Sequence, residues 1–318
     1  MRRRLLGTQA LAGATLVLVS CLTACVSNRD GSVVAPEPTS FGASADQLSE
    51  GAKIAYLAND GGFWQVWVTD PREGGTRQVT TSRYEKSSVS WFPDGRRILV
   101  HALSGKLIVV DVATGREELF TAEPYGGHDA TVSPDGRTIA VSSSLTSNLD
   151  TNEIVLIDVE SRERSVMPSA GGMQHTPRWS HDGQWIYFVV PTNTKHENNI
   201  WRVRRDGTQI EQLTIAAAYH FSASDSSDGV LAYSSNQSGD YEIWSWDIES
   251  GEPPHPLTRR RGFDGEPAWS PDGSFVVYAS RIGTVSTLWI VNAQTADSWQ
   301  LVRHERGARS PVWWGRAR

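Results

Sequence analysis

A five-residue signature returns along this chain at a nearly constant interval. It reads Trp91-Phe92-Pro93-Asp94-Gly95, Val132-Ser133-Pro134-Asp135-Gly136, Trp179-Ser180-His181-Asp182-Gly183 and Trp269-Ser270-Pro271-Asp272-Gly273. With a shorter copy at Ser226-Ser227-Asp228-Gly229, successive Asp positions lie 41, 47, 46 and 44 residues apart. A second marker keeps the same beat. An apolar strand closes on a polar residue at Asp70, Asp111, Asp158, Arg204, Asp247 and Asn292, spaced by 41, 47, 46, 43 and 45 residues. Self-similarity at such a period belongs to arrays in which one small unit cannot bury its apolar face alone and stacks on the next.

Each unit holds short runs rich in β-branched and aromatic residues, divided by Gly, Asp, Pro and Ser clusters, which is the pattern of strands joined by tight turns. The Asp-Gly pairs fit the turn that leaves an inner strand, and Trp supplies bulk between neighbours, so both markers read as architecture. Counting the strands gives an all-β fold, a six-bladed β-propeller of four-stranded antiparallel blades. The first repeat opens at Glu50-Gly51-Ala52-Lys53-Ile54-Ala55-Tyr56 as a second strand with no inner strand before it. The missing strand stands at the other end: Ser310-Pro311-Val312-Trp313-Trp314 matches Thr176-Pro177-Arg178-Trp179-Ser180 and Glu266-Pro267-Ala268-Trp269-Ser270. This C-terminal strand is expected to pair into the first blade and close the ring, which removes a long unpaired edge.

With its Trp-Ser-Pro-Asp-Gly turns and Ile-Trp third strands, the chain resembles the TolB-type propeller repeats of bacterial envelope proteins over about residues 51 to 315. That resemblance implies the fold, and it implies an envelope setting. Full TolB proteins also carry an amino-terminal α/β domain, where this chain has a short tether.

The amino terminus has its own grammar. Arg2, Arg3 and Arg4 precede a mostly apolar run from Leu5 to Val19, the order of a secretory signal. The run ends Leu22-Thr23-Ala24-Cys25, which resembles the lipobox of bacterial lipoproteins and implies lipidation of Cys25 after removal of residues 1–24. Leu18-Val19-Ser20-Cys21 fits the pattern less well, and an uncleaved apolar anchor is the other reading of the segment. Residues 25–50, rich in Ser, Pro, Ala and Asp, read as a flexible tether, and residues 51–318 as the propeller. Loss of the first 24 residues removes three arginines and no acid, taking the net charge from −6 to −9. Such a surface repels nucleic acid. Both cysteines lie in the export segment, so the folded body holds no disulfide.

Candidate ligand-binding residues are those entering the inner strands, around the mouth of the central channel. His128 and His175 stand seven residues before their Asp-Gly turns, and His220 eight before its own. Glu85, Asp129, Asp264, Glu266 and Arg309 share that rim, with Tyr84, Tyr125, Tyr219 and Phe263 just ahead of it. Imidazoles and carboxylates converging there would suit a divalent metal such as Zn, Mn or Cu, with His128, His175 and His220 as ligands. The plainer reading is that each His caps a strand or bonds a neighbouring loop. Arg259, Arg260, Arg261, Arg303, Arg306 and Arg309 add positive charge to the last blades, which reads either as a solvated face or as a seat for an acidic partner or lipid headgroups.

Catalytic signatures are missing from the sequence. No Gly-x-Ser-x-Gly elbow occurs, and His196-Glu197-Asn198-Asn199-Ile200 has Ile where a zinc peptidase needs its second His. The expected function is therefore an envelope-anchored binding or scaffolding lipoprotein, a monomer meeting a protein or peptide partner through one propeller face. The other reading is a metal-dependent lyase or hydrolase acting on envelope carbohydrate at the channel mouth.

Overall fold

A computed structural model of the chain describes residues 47–59, 62–122, 127–144, 152–192, 197–215 and 217–315. They form six four-stranded antiparallel sheets and, among the described residues, no α-helix. Blade 1 contains β1 (Lys53–Ala58), β2 (Gln65–Thr69) and β3 (Thr76–Gln78). Blade 2 runs through β4 (Lys86–Trp91), β5 (Arg97–Ala102), β6 (Lys106–Asp111) and β7 (Glu117–Ala122). Blade 3 is β8 (Gly127–Val132), β9 (Thr138–Ser144), β10 (Asn152–Asp158) and β11 (Arg164–Val166). Blade 4 follows with β12 (His175–Trp179), β13 (Trp185–Pro191), β14 (Asn198–Arg204) and β15 (Ile210–Gln212). Blade 5 is β16 (His220–Asp225), β17 (Val230–Ser235), β18 (Glu242–Asp247) and β19 (His255–Pro256). Blade 6 is β20 (Phe263–Trp269), β21 (Phe275–Ile282), β22 (Val285–Asn292) and β23 (Ser298–Val302). The last strand, β24 (Ala308–Trp314), pairs antiparallel with β1 and supplies the inner strand of blade 1, closing the ring as expected.

Both sequence beats are turns. In the inner-strand turn, Asp135 Oδ1 accepts from the Arg137 N–H at 3.0 Å, Asp182 Oδ1 from Gln184 N–H at 2.9 Å and Asp272 Oδ1 from Ser274 N–H at 3.1 Å. The Ser of the motif completes the lock. Ser180 Oγ donates to Asp182 at 2.6 Å and accepts from the Trp185 N–H at 2.8 Å, pinning the first residue of the next strand. Ser133 and Ser270 repeat this arrangement. At the second beat, Asp111 caps the Thr114 N–H at 2.8 Å and Asp158 the Ser161 N–H at 2.7 Å, shaping the hairpin between third and fourth strands. Short polar side chains that bond their own backbone two or three residues on are the favoured makers of such turns.

The turns also stack around the ring. A Cβ on Gly136 would lie 2.9 Å from Pro93, and one on Gly315 would lie 3.0 Å from Pro271, so a Gly of one blade takes the Pro of its neighbour. At the closure, the Trp314 ring covers Gly95, where a Cβ would lie 2.1 Å from the indole, and Trp314 Nε1 donates to the Pro93 carbonyl at 3.1 Å.

The core lies between blades. Strands β1, β5, β9, β13 and β21 are buried on both faces, which is why they read as continuous apolar runs rather than alternating ones. Ala55 and Leu57 face blade 2, while Ile54 and Tyr56 face blade 6. Outer strands β3 and β11 are exposed, and their arginines, Arg77 and Arg164, discourage pairing at the sheet edge.

Candidate ligand site at the channel mouth

All six inner strands begin at one end of the ring, and all six pair irregularly with their neighbours just inside it. In five of them the bulged residue is not Gly yet has a left-handed backbone: Asp129 (φ 48°), Thr176 (49°), Ser222 (53°), Glu266 (55°) and Ser310 (53°). Such conformations cost roughly 1–3 kcal/mol each for residues with a Cβ and persist where the surroundings over-determine them. A bulge bends its strand and re-aims the next side chain. Here the bent segments enclose a channel cavity of ≈ 210 Å³ to which every blade contributes, with Glu266, Ser310, Ser222 and Arg178 as its polar lining.

The bulge fixes what stands level with what. His175 opposes Val189, Phe221 opposes Ser234 and Gly265 opposes Ala279, each immediately before its bulge. His220 sits one residue earlier, opposite Ser235, and shares its level with Asp264 opposite Ser280. It is fully buried, its ring 5.7 Å from that of Tyr233, whereas His175 is half-buried at the rim. The structure therefore places Phe221, not His220, at the station of His175. His128 precedes the bulge of its own strand, opposite Ser142, and its side chain lies outside the described residues, as do Tyr125 and Cys25. The three imidazoles expected on one level thus belong to two strand levels.

The other candidates are tied into neighbouring blades. Glu266 accepts from the Ser310 N–H at 2.6 Å across the seam between blades 6 and 1. Arg309 donates to the Lys86 carbonyl at 3.2 Å and lies over the Trp64 ring at 4.2 Å. Asp129 is half-buried at its bulge. Tyr219 joins a cluster of half-exposed rings, 6.5 Å from Tyr241, which in turn lies 5.7 Å from Phe221 and 5.2 Å from Phe263. Phe221 and Phe263 stack at 5.5 Å with 19° between planes, over Gly265, where a Cβ would come within 2.6 Å of Phe263.

One residue before the level of His175, nearer the start of the inner strands, lies a polar level. Lys86, Gln174, His220 and Asp264 occupy equivalent positions and are all fully buried. Burial pulls the Lys86 ammonium down to about 8 against the opposing fields of Glu117 and Glu85, and its Nζ donates to Gln65 Oε1 at 3.0 Å and the Tyr84 carbonyl at 3.2 Å. Burial raises Asp264 and, with Asp264 beside it, Glu242, whose carboxylate accepts from Thr258 Oγ1 at 2.5 Å. Lys86, Gln174, His220 and Asp264 each stand eight residues before the Asp of their turn, and their burial follows from packing between distant segments. The position three residues before the Asp of the turn holds Trp91, Val132, Trp179 and Trp269 in blades 2, 3, 4 and 6, and Asp225 in blade 5. Burial pushes Asp225 up to about 7; it accepts from the His181 N–H at 2.8 Å and from the Tyr187 hydroxyl at 3.3 Å, both of blade 4.

Comparison with known proteins bears on this architecture. The sequence profile of the TolB β-propeller domain family matches residues 100–316. An uncharacterized protein of Agrobacterium fabrum is 27% identical over 46% of this chain and 52% of its own length. The Tol-Pal system protein TolB of Xanthomonas campestris pv. campestris is 29% identical over 35% of this chain and 26% of its own. The matched segment thus spans about half or less of these relatives. The crystal structure of TolB from Acinetobacter baumannii superposes with a TM-score of 0.71 at 24% identity, covering 82% of this chain and 66% of that one.

Proposed function

The chain belongs to the TolB β-propeller family, and from that premise we propose that it is a binding or scaffolding module of the bacterial cell envelope whose channel mouth docks a protein partner. The size of the cavity against the make-up of the rim supports this reading. At ≈ 210 Å³ the channel falls below the roughly 300–1,000 Å³ of pockets that enclose a small molecule. At the mouth end of blades 5 and 6, four aromatic rings stand half-exposed. Half-exposed aromatics beside arginine are the composition of protein interface hot spots. In this reading the segment ending at Ala24 is removed, Cys25 carries the lipid, and residues 25–50 give the propeller reach from the membrane. Two or more acyl chains hold a protein at a bilayer durably, where one alone does not.

Site-specific photo-crosslinking in the native host tests the docking face. A crosslinker at Phe221, on the mouth, is expected to trap a defined partner, and one at Arg96, on the opposite end, is expected to trap none. Equal adducts from both ends, or adducts only from Arg96, would refute the assignment.

A further inference from the structure

Three loops meet at the mouth end of blade 6. Arg259, Arg260 and Arg261 stand between β19 and β20, Arg281 lies near the end of β21, and Arg303 and Arg306 stand between β23 and β24. The loops touch one another. Gly262, at φ 119°, runs so close to β21 that a Cβ on it would lie 2.5 Å from the Arg281 carbonyl, and a Cβ on Gly307 would lie 3.6 Å from the Ser286 backbone. Arg259, Arg261, Arg303 and Arg306 are exposed and Arg281 is half-buried. Among the described residues none of the five is ion-paired. Arg260 turns to the Trp289 ring and the field of Asp264, and the other five arginines meet a single acid within these loops, Glu305, in a chain whose net charge is −6, so the charge of the loops runs against that of the whole molecule.

Apolar surface adjoins the charge. The Arg281 guanidinium lies over the Phe263 ring at 5.2 Å, Phe263 stacks on Phe221, and Ile282 beside Arg281 is 48% exposed. Exposed like charges repel one another, and a guanidinium presents a planar fork that fits a carboxylate bidentately.

We propose that this arginine and aromatic surface docks an acidic protein segment carrying aromatic or aliphatic side chains. It rests on the reading of the mouth as a protein-docking face and supplies the chemistry of the partner. The carboxylates of such a segment neutralise the arginines, and its apolar side chains cover Phe263 and Ile282. The negative field over the rest of the molecule turns an acidic partner away from other faces and steers it here.

The test is fluorescence anisotropy of the full chain with a labelled peptide of alternating Asp or Glu and Phe, and with its Lys counterpart. The acidic peptide is expected to bind, to weaken as salt rises from about 50 to about 200 mM, and to lose about tenfold in affinity on Arg261→Glu or Arg303→Glu. Phe263→Ala is expected to weaken it as well, and Arg96→Glu at the opposite end to leave it unchanged. Unchanged melting temperatures identify the variants that remain folded. Binding that ignores the arginine reversals overturns the proposal. So does arginine-dependent binding of polygalacturonate or of phosphatidylglycerol vesicles when the acidic peptide does not bind. Crosslinks from Phe221 that persist in the Arg261→Glu variant would overturn this proposal and leave the docking face standing; their absence in the parent chain would overturn both.

Discussion

Gly95 and Gly229 occupy equivalent turns with left-handed backbones, at φ 66° and 79°, yet their surroundings differ. Nothing lies within 4 Å of a Cβ placed on Gly229, whereas one on Gly95 would strike the Trp314 ring at 2.1 Å. Gly229→Ala is therefore expected to cost only the left-handed penalty of about 1–2 kcal/mol. Gly95→Ala adds displacement of the closing indole and is expected to cost more; denaturant unfolding of the pair separates backbone from contact. Asp225 carries a pH dependence. Its carboxyl titrates near 7 when folded and near 3.8 in its ordinary state, so between those values the folded chain holds a proton that the unfolded chain has released. Stability from this group is fully present below about pH 4, falls as pH rises, and is gone above about pH 7. Asp225→Asn should flatten that part of the stability profile, as measured by melting temperature against pH. An unchanged slope between pH 4 and 7 would show that the residue is not the source.

Among elements, the seams decide how the ring holds. The seam between blades 1 and 2 buries thirteen apolar residues, while that between blades 4 and 5 buries six among the described residues. The thinner seam is also where Asp225 replaces Trp, so its closure rests on polar contacts that protonation alters. Elsewhere the indoles reach across: Trp269 Nε1 donates to the Ser224 carbonyl at 3.1 Å and Trp91 Nε1 to that of Val312 at 3.2 Å. The closing strand β24 matters most, because it is the inner strand of blade 1 and contributes Val312 and Trp314 to one seam and Ala308 and Trp313 to another. Truncation after Gly307 is expected to expose the β1 edge and two seams together. The truncated chain should lose cooperative unfolding and self-associate; a monomer on size exclusion with the melting temperature of the parent would contradict this account of closure.

For the whole molecule, the proposed lipid on Cys25 predicts where the protein is found. Cys25→Ala should abolish incorporation of labelled palmitate and shift the protein out of the membrane fraction, while Cys21→Ala should do neither. The reverse pattern would move the anchor to Cys21. Much of the molecule was legible in the sequence. Blade number, the turns at each Asp, and the return of Trp313 and Trp314 to the first blade follow from spacing, because turn chemistry acts within a few residues and recurs wherever the motif does. The rim was read less completely. Grouping His220, eight residues before its turn, with His175, seven before, supposes a longer repeat, whereas the register opposite β17 sets Phe221 there, itself seven before Asp228, and His220 is buried. The aromatic stack over Gly265 and the burial of Lys86, Gln174 and Asp264 depend on residues from different blades. The sequence alone determined the repeat, because its causes are local hydrogen bonds and a periodic apolar pattern. The tertiary structure alone decided which side chains at the mouth are buried and which meet across a seam, because burial and contact depend on the partner strand and the neighbouring blade, which lie far away in sequence.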